Sequence, residues 1–142
     1  MTTEEFLRHT SGSELFRTFD IRVDSAEPGH VVISMPVTSK VHQYTGIMNG
    51  GVSVLLAESA ASIGAVVSND LTKVTPVGIE INANHLRAIS KGRVTAEAKS
   101  VYQGKTLSVW SIEITDERKR LICISRITLS HVQKPAIVPR NA

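Results

Sequence analysis

The chain has one cysteine, Cys123, inside the apolar run RLICISRITL. A disulfide framework, a CxxC pair and a thiolate metal cluster are therefore excluded, and a reducing, cytoplasmic setting is expected. Aromatic residues make up only 4% of the 142 residues, and no basic patch is interleaved with Phe or Tyr. That speaks against a base-stacking nucleic-acid surface. The amino terminus, MTTEEFLRHTSGSELF, lacks a basic stretch followed by an apolar one, so no signal peptide is expected. The longest charge-poor stretch, Thr45 to Asn69, is interrupted by Glu58, several serines and paired glycines, and no membrane span is expected from it. Neither GxGxxG nor GxxxxGKS/T is present, which removes the dinucleotide and P-loop readings. His9, His30, His42 and His131 are scattered, and no Ser-His-Asp or Cys-His arrangement or metal site is readable from them.

What is present is the composition of one globular domain spanning residues 1–142, 42% hydrophobic and 20% charged with a formal charge of +3. Residues 1–18 predict two short helical turns around a Ser-Gly break, a cover for something else. Asp20 to Ser25 and His30 to Thr38 alternate and are rich in Val and Ile, with AEPGH as the turn of a hairpin. From Gly50 to Ser68 the period becomes helical: Val52, Leu55, Leu56, Ser59, Ala60, Ile63 and Val67 recur, with Ser53, Ala57, Ala61 and Gly64 small enough for close packing. This predicts one long helix buried nearly all round, with Asn49 as N-cap and Asn69 and Asp70 at its stop.

Four strand-like segments follow, Val74 to Arg87, Gly92 to Gln103, Thr106 to Asp116 and Leu121 to Ser130, with short connections AISK, YQGKT and DERKR. They predict an antiparallel meander, and residues 132–142 an irregular tail. A sheet of that size wrapped around one apolar helix is an α+β solution. Its exposed edges invite pairing with a second copy.

One residue does not fit a plain core helix. Glu58 is the only acid among small and apolar residues, and the positions three and four away are Leu55, Ala61, Val54 and Ser62. No local cation is available, and a lone buried carboxylate needs partners or a task.

The segment GIMNGGVSVLLAESAAS resembles the G-x-x-H-G-G-x-x-x-x-x-x-E signature of hotdog-fold acyl-CoA thioesterases. VGIEINANHLRAISKGRV resembles the phenylacetate-type bacterial branch that includes 1,4-dihydroxy-2-naphthoyl-CoA hydrolase and the proofreading thioesterase of enterobactin synthesis. The resemblance runs from about Phe16 to Ser130. It implies a hotdog fold, hydrolysis of an acyl-CoA or aroyl-CoA thioester, and a homodimer or a dimer-of-dimers tetramer. No cofactor is implied, CoA being part of the substrate, and neither a nucleic-acid nor a membrane partner.

By the same resemblance the Gly50 N–H binds the thioester carbonyl, Glu58 is nucleophile or general base, and Gln43 and Ser62 assist. The nucleotide contacts fall on His85, Leu86, Arg87 and Ala88 and on Tyr102, Gln103, Gly104, Lys105, Thr106 and Leu107. The family's histidine before the glycine pair is replaced here by Asn49, which can cap the helix and donate a hydrogen bond but cannot carry a proton. A non-hydrolytic acyl-CoA-binding protein, weakened in chemistry by that change, is the alternative; a hotdog hydratase is disfavoured by the missing histidine.

Elementary physics supports these roles. Gly50 would lie in a first helical turn, where N–H groups have no intrahelical acceptor and the dipole is positive. Gly50 and Glu58 are separated by about 12 Å of helix rise, too far to act on one carbonyl. A site shared between subunits, Gly50 of one with Glu58 of the other, follows. Lys91, Arg93 and Lys105 add positive charge suited to phosphates.

Overall fold

In the computed structural model, which describes residues 1–136, ten elements form one α+β unit. Helices α1 (Thr3–Ser11) and α2 (Glu14–Phe19) precede the hairpin β1 (Arg22–Glu27) and β2 (His30–Pro36). A single 3-10 turn (Ser39–Val41) leads to α3 (Gly50–Val67). Then come β3 (Val74–His85), β4 (Arg93–Gln103), β5 (Leu107–Thr115) and β6 (Leu121–Gln133). The six antiparallel strands take the order β1-β2-β4-β5-β6-β3 and wrap α3. This is the hotdog arrangement.

The expected four-strand meander holds only for β4, β5 and β6. β3 does not pair with β4; it lies at the free edge, beside β6. Its own residues suit that place. Pro76 has no N–H for a ladder and is tolerated at an edge, and EINANH is too polar for a central strand. β6 also runs further than expected: Val132 and Gln133 pair with Thr75 and Val74, so the irregular tail begins at Lys134. The rest of that tail, 137–142, lies outside the described residues.

α3 threads the concave face. Its mean hydropathy of 1.6 reaches the range of membrane spans, but the sheet occupies its apolar side. Leu56, Ala57, Ala60, Ala61, Ile63 and Ala65 are buried. Gly64 sits directly against Trp110, itself wholly buried: a Cβ there would lie 2.5 Å from the ring. Burial is nonetheless one-sided. Val54, Leu55, Glu58, Ser59 and Ser62 form a half-exposed flank, so the sequence pattern overstates how far one chain encloses the helix.

The N-terminal cover forms as two helices. α1 has a capping box, Thr2 with Glu5, and no buried residue, whereas α2 buries Phe16 in the core. Cys123 is buried and its thiol pKa is pushed up by that burial, the wrong direction for a nucleophile.

Candidate active site

The N-terminus of α3 opens into a pocket of about 340 Å³ in which Gln43, Gly50 and the segment His85 to Ala88 meet. Backbone hydrogen bonds fix the approach. The Gln43 N–H donates to the Ile47 carbonyl (2.8 Å) and the Gly46 N–H to the Gln43 carbonyl (2.9 Å), a tight turn that needs the positive φ of Gly46 (81°). That turn is stitched to the β3–β4 connection: the Met48 N–H donates to the Ile89 carbonyl (2.7 Å), and His42 Nε2 bonds the Ser90 carbonyl (2.7 Å). Gln43 is thereby held at the mouth of the pocket.

At the helix end the orphan donors divide unequally. Asn49 Oδ1 accepts the Gly51 N–H (2.7 Å), and the Asn49 carbonyl accepts the Val52 N–H (3.0 Å). The Gly50 N–H has no acceptor among the described residues, and Gly50 lines the pocket at the positive end of the dipole. Asn49 is thus an N-cap whose carbonyl oxygen is already engaged, leaving only its amide group for a ligand. Beside Gly50 stands His85: a Cβ on Gly50 would lie 2.9 Å from His85 Nε2. His85 belongs to the glycine end of the helix, not to a remote surface.

Glu58 lies on the same helix about 12 Å further along and does not line the pocket. Its carboxylate packs on the backbone of β3, where a Cβ on Gly78 would meet Oε1 at 2.6 Å. Among the described residues it has no ion pair. Ser62 follows one turn later on the same half-exposed flank.

The two candidate CoA segments do not meet within the chain. His85 pairs with Cys123 at the start of β6, whereas Leu107 pairs with Ser130 near its end; at 3.3 Å per residue they are about 23 Å apart. The hairpin Tyr102 to Leu107 is anchored at the C-terminal end of α3. Gln103 Nε2 donates to Asn69 Oδ1 (3.3 Å), and the His131 N–H donates to the Thr106 carbonyl (2.8 Å). Gly104 packs against the Tyr102 ring, and Lys105 and Thr106 are exposed. Lys91 and Arg93 line a neighbouring groove with Asp116, Glu117, Arg118 and Arg120, contiguous with the pocket through Ala88 and Ile89.

Two contributors escape the sequence reading. Ser53, buried at 2% exposure, lines the pocket one turn into α3. Gly78 gives Glu58 its room. A glycine inside a strand is a signal for a bulge or a close approach, and the sheet register does shift between Gly78 and Glu80. No group of three or more His, Cys, Asp or Glu side chains able to hold a metal occurs among the described residues.

Comparison with known proteins places this geometry. The thioesterase superfamily profile matches residues 45–123. A 1,4-dihydroxy-2-naphthoyl-CoA hydrolase of Listeria monocytogenes is 48% identical over 120 residues, 84% of this chain and 97% of that one. A mutant thioesterase of Pseudomonas aeruginosa has a solved structure that superposes with a TM-score of 0.86 at 35% identity, covering 92% of this chain and 94% of that one. A Staphylococcus aureus protein gives 0.83 at 43% identity, covering 85% and 100%. Its solved variants change a glutamate to alanine and, separately, in a form described as a thioesterase, a glutamine to alanine. Those two positions are as far apart in sequence as Gln43 and Glu58. On the matched length and the identity, this chain belongs to the thioesterase superfamily.

Proposed function

We propose that this thioester hydrolase cleaves acyl- or aroyl-CoA at a site completed by two copies of the chain. The observation that carries the reading is the division within one chain. The pocket holds an unengaged helix N-terminal amide, Gly50, with Gln43 beside it, but no carboxylate among the described residues lines it; Glu58 is on the half-exposed flank about 12 Å away. β3 is a free edge alongside that flank, with Val77 and Ile79 exposed at 41% and 62%. Two copies joined about a twofold axis at this edge run their α3 helices antiparallel, bringing the Gly50 of one towards the Glu58 of the other.

In that site the carbonyl oxygen accepts the Gly50 N–H, with Gln43 and the Asn49 amide at its margin. Glu58 drives attack on the carbonyl carbon, directly or through a water it deprotonates, and Ser62 steadies the carboxylate. If water attacks, C–S cleavage gives the free acid, and CoA leaves with the proton Glu58 took. If Glu58 attacks, CoA leaves first and a water then cleaves the acyl-Glu58 anhydride to the free acid. The CoA arm runs along Leu86, Arg87 and Ala88, with Arg87 suited to phosphate. The hairpin Tyr102 to Leu107 serves a neighbouring copy's site. The chemistry calls for no cofactor, and the unpaired, buried Cys123 suits a cytoplasmic setting.

The test is hydrolysis of a panel of aliphatic and aromatic CoA thioesters followed by thiol release. Glu58→Gln and Glu58→Ala are expected to lower kcat about 10³-fold with the fold intact. Near-normal turnover, or an intact bound thioester with the parent protein over hours, refutes the hydrolytic assignment. Mixing Glu58→Ala with Gln43→Ala copies should restore activity, since one mixed site then has both groups; no recovery after verified subunit exchange refutes the shared site.

A further inference from the structure

We propose that His85 is a catalytic residue: its Nε2–H and the Gly50 N–H form a two-donor hole for the thioester oxygen. This rests on the hydrolytic reading above and adds a residue to it. The known facts at the helix end leave a gap. An oxygen that gains negative charge is held best by several fixed donors. Of the first α3 amides the cap engages Gly51 and Val52 and leaves the Gly50 N–H free, and Gln43 and the Asn49 amide stand only at the margin of that oxygen.

His85 fills that gap by position. Strand alternation turns it towards α3, since it pairs with the inward-facing Cys123. Its ring lies over Gly50, with Nε2 2.9 Å from the Cβ site. The amide nitrogen of a residue is about 2.5 Å from its own Cβ position, so the two donors are at most about 5.4 Å apart. One oxygen at the usual 2.9 Å from each spans up to about 5.8 Å. The spacing of the two donors therefore leaves one oxygen within reach of both. The ring makes no hydrogen bond among the described residues, so the donor is uncommitted, and Gly50, His85 and Gln43 line one pocket. When the carbonyl carbon is attacked, the C=O π pair moves to the oxygen, which both N–H groups then hold. His85 lends a hydrogen bond and transfers no proton. As C–S breaks, the oxygen's pair returns to C=O, sulfur keeps the C–S pair, and the thiolate takes the proton Glu58 removed from the attacking water or, where Glu58 itself attacked, one from solvent.

Glycine at position 50 is what permits this closeness, because any side chain would occupy the space of the imidazole. The Asn-for-His change one residue earlier then leaves the site with its imidazole supplied from β3.

The experiment compares His85→Ala and His85→Gln on an acyl-CoA and on the same acyl group carried by pantetheine, which lacks the nucleotide. Loss of one oxyanion donor predicts kcat lower by about 10²-fold with KM little changed, equally on both substrates. The Gln variant, whose amide reaches the Nε2 position, should recover part of it. A rise in KM confined to the CoA substrate would assign His85 to the nucleotide and overturn the proposal, as would unchanged kcat in both variants. Thermal melting checks that the fold persists. Glu58→Ala run in parallel separates the two readings: if it keeps turnover the hydrolytic reading falls, whereas its loss beside an active His85→Ala sinks only this one.

Discussion

Adding a single methyl group at Gly78 tests how Glu58 is held. A Cβ there would sit 2.6 Å from Glu58 Oε1, against 3.4–4 Å for ordinary contact, while Ile127 Cδ1 at 3.5 Å is no obstacle. The carboxylate must retreat by about 0.8 Å or more. Gly78 has no positive φ, so alanine is not strained in the strand and reduces backbone freedom in the unfolded chain by the equivalent of about 0.4–1 kcal/mol. Because the end of a glutamate side chain moves easily, stability should hold or rise slightly. Activity should not hold. A displacement near 1 Å of a catalytic group costs about 10²-fold, or about 2.7 kcal/mol in the barrier. Gly78→Ala should therefore keep its melting temperature and lose one to two orders of magnitude in kcat by thiol release. Combined with Glu58→Ala, it should add no further loss, since both act on one group. A kcat within about threefold of the parent, or independent losses in the double variant, would refute the contact as a determinant of catalysis.

Two predictions concern the fold. Gly64→Ala would ordinarily stabilise a helix by about 1 kcal/mol, but its methyl would lie 2.5 Å from a wholly buried Trp110. Overpacking outweighs propensity, so a loss of about 1–3 kcal/mol is expected in denaturant melts, and a raised melting temperature would contradict it. Asp116 organises the β5–β6 turn: Oδ1 accepts the Arg118 and Arg120 N–H groups, both at 2.9 Å, and Oδ2 the Arg120 Nε–H at 2.7 Å. Burial opposes its charge, but the Arg120 N–H, the Arg120 side chain and the Arg118 N–H outweigh it and hold the carboxyl below its ordinary value of 3.8. The charged form is favoured by the fold, so its contribution is present above 3.8 and is lost as pH falls through the lower folded-state value. Asp116→Asn should melt earlier than the parent at neutral pH, with the gap closing in acid; a gap unchanged below 3.8 would refute this.

The sequence by itself determined the helix and most of the strands, because both follow from local periodicity. The α3 pattern, the Asn49 cap and the strand runs needed no distant residue to be read. It also determined the distance between Gly50 and Glu58, since helix rise converts sequence spacing to length. The oddity of Glu58, an acid without a local cation, was legible for the same reason. Strand order was not. β3 reads as a neighbour of β4 on connection length alone, and Pro76 with the polar EINANH segment are the features that suit it to the edge. Three features of the site came only from tertiary packing: the Gly78 backbone under Glu58, the His85 ring over Gly50, and the separation of His85 to Ala88 from Tyr102 to Leu107. Each joins residues on different elements. Periodicity and spacing carry no information about which face of β3 meets which turn of α3, because that is fixed by how the whole sheet twists around the helix.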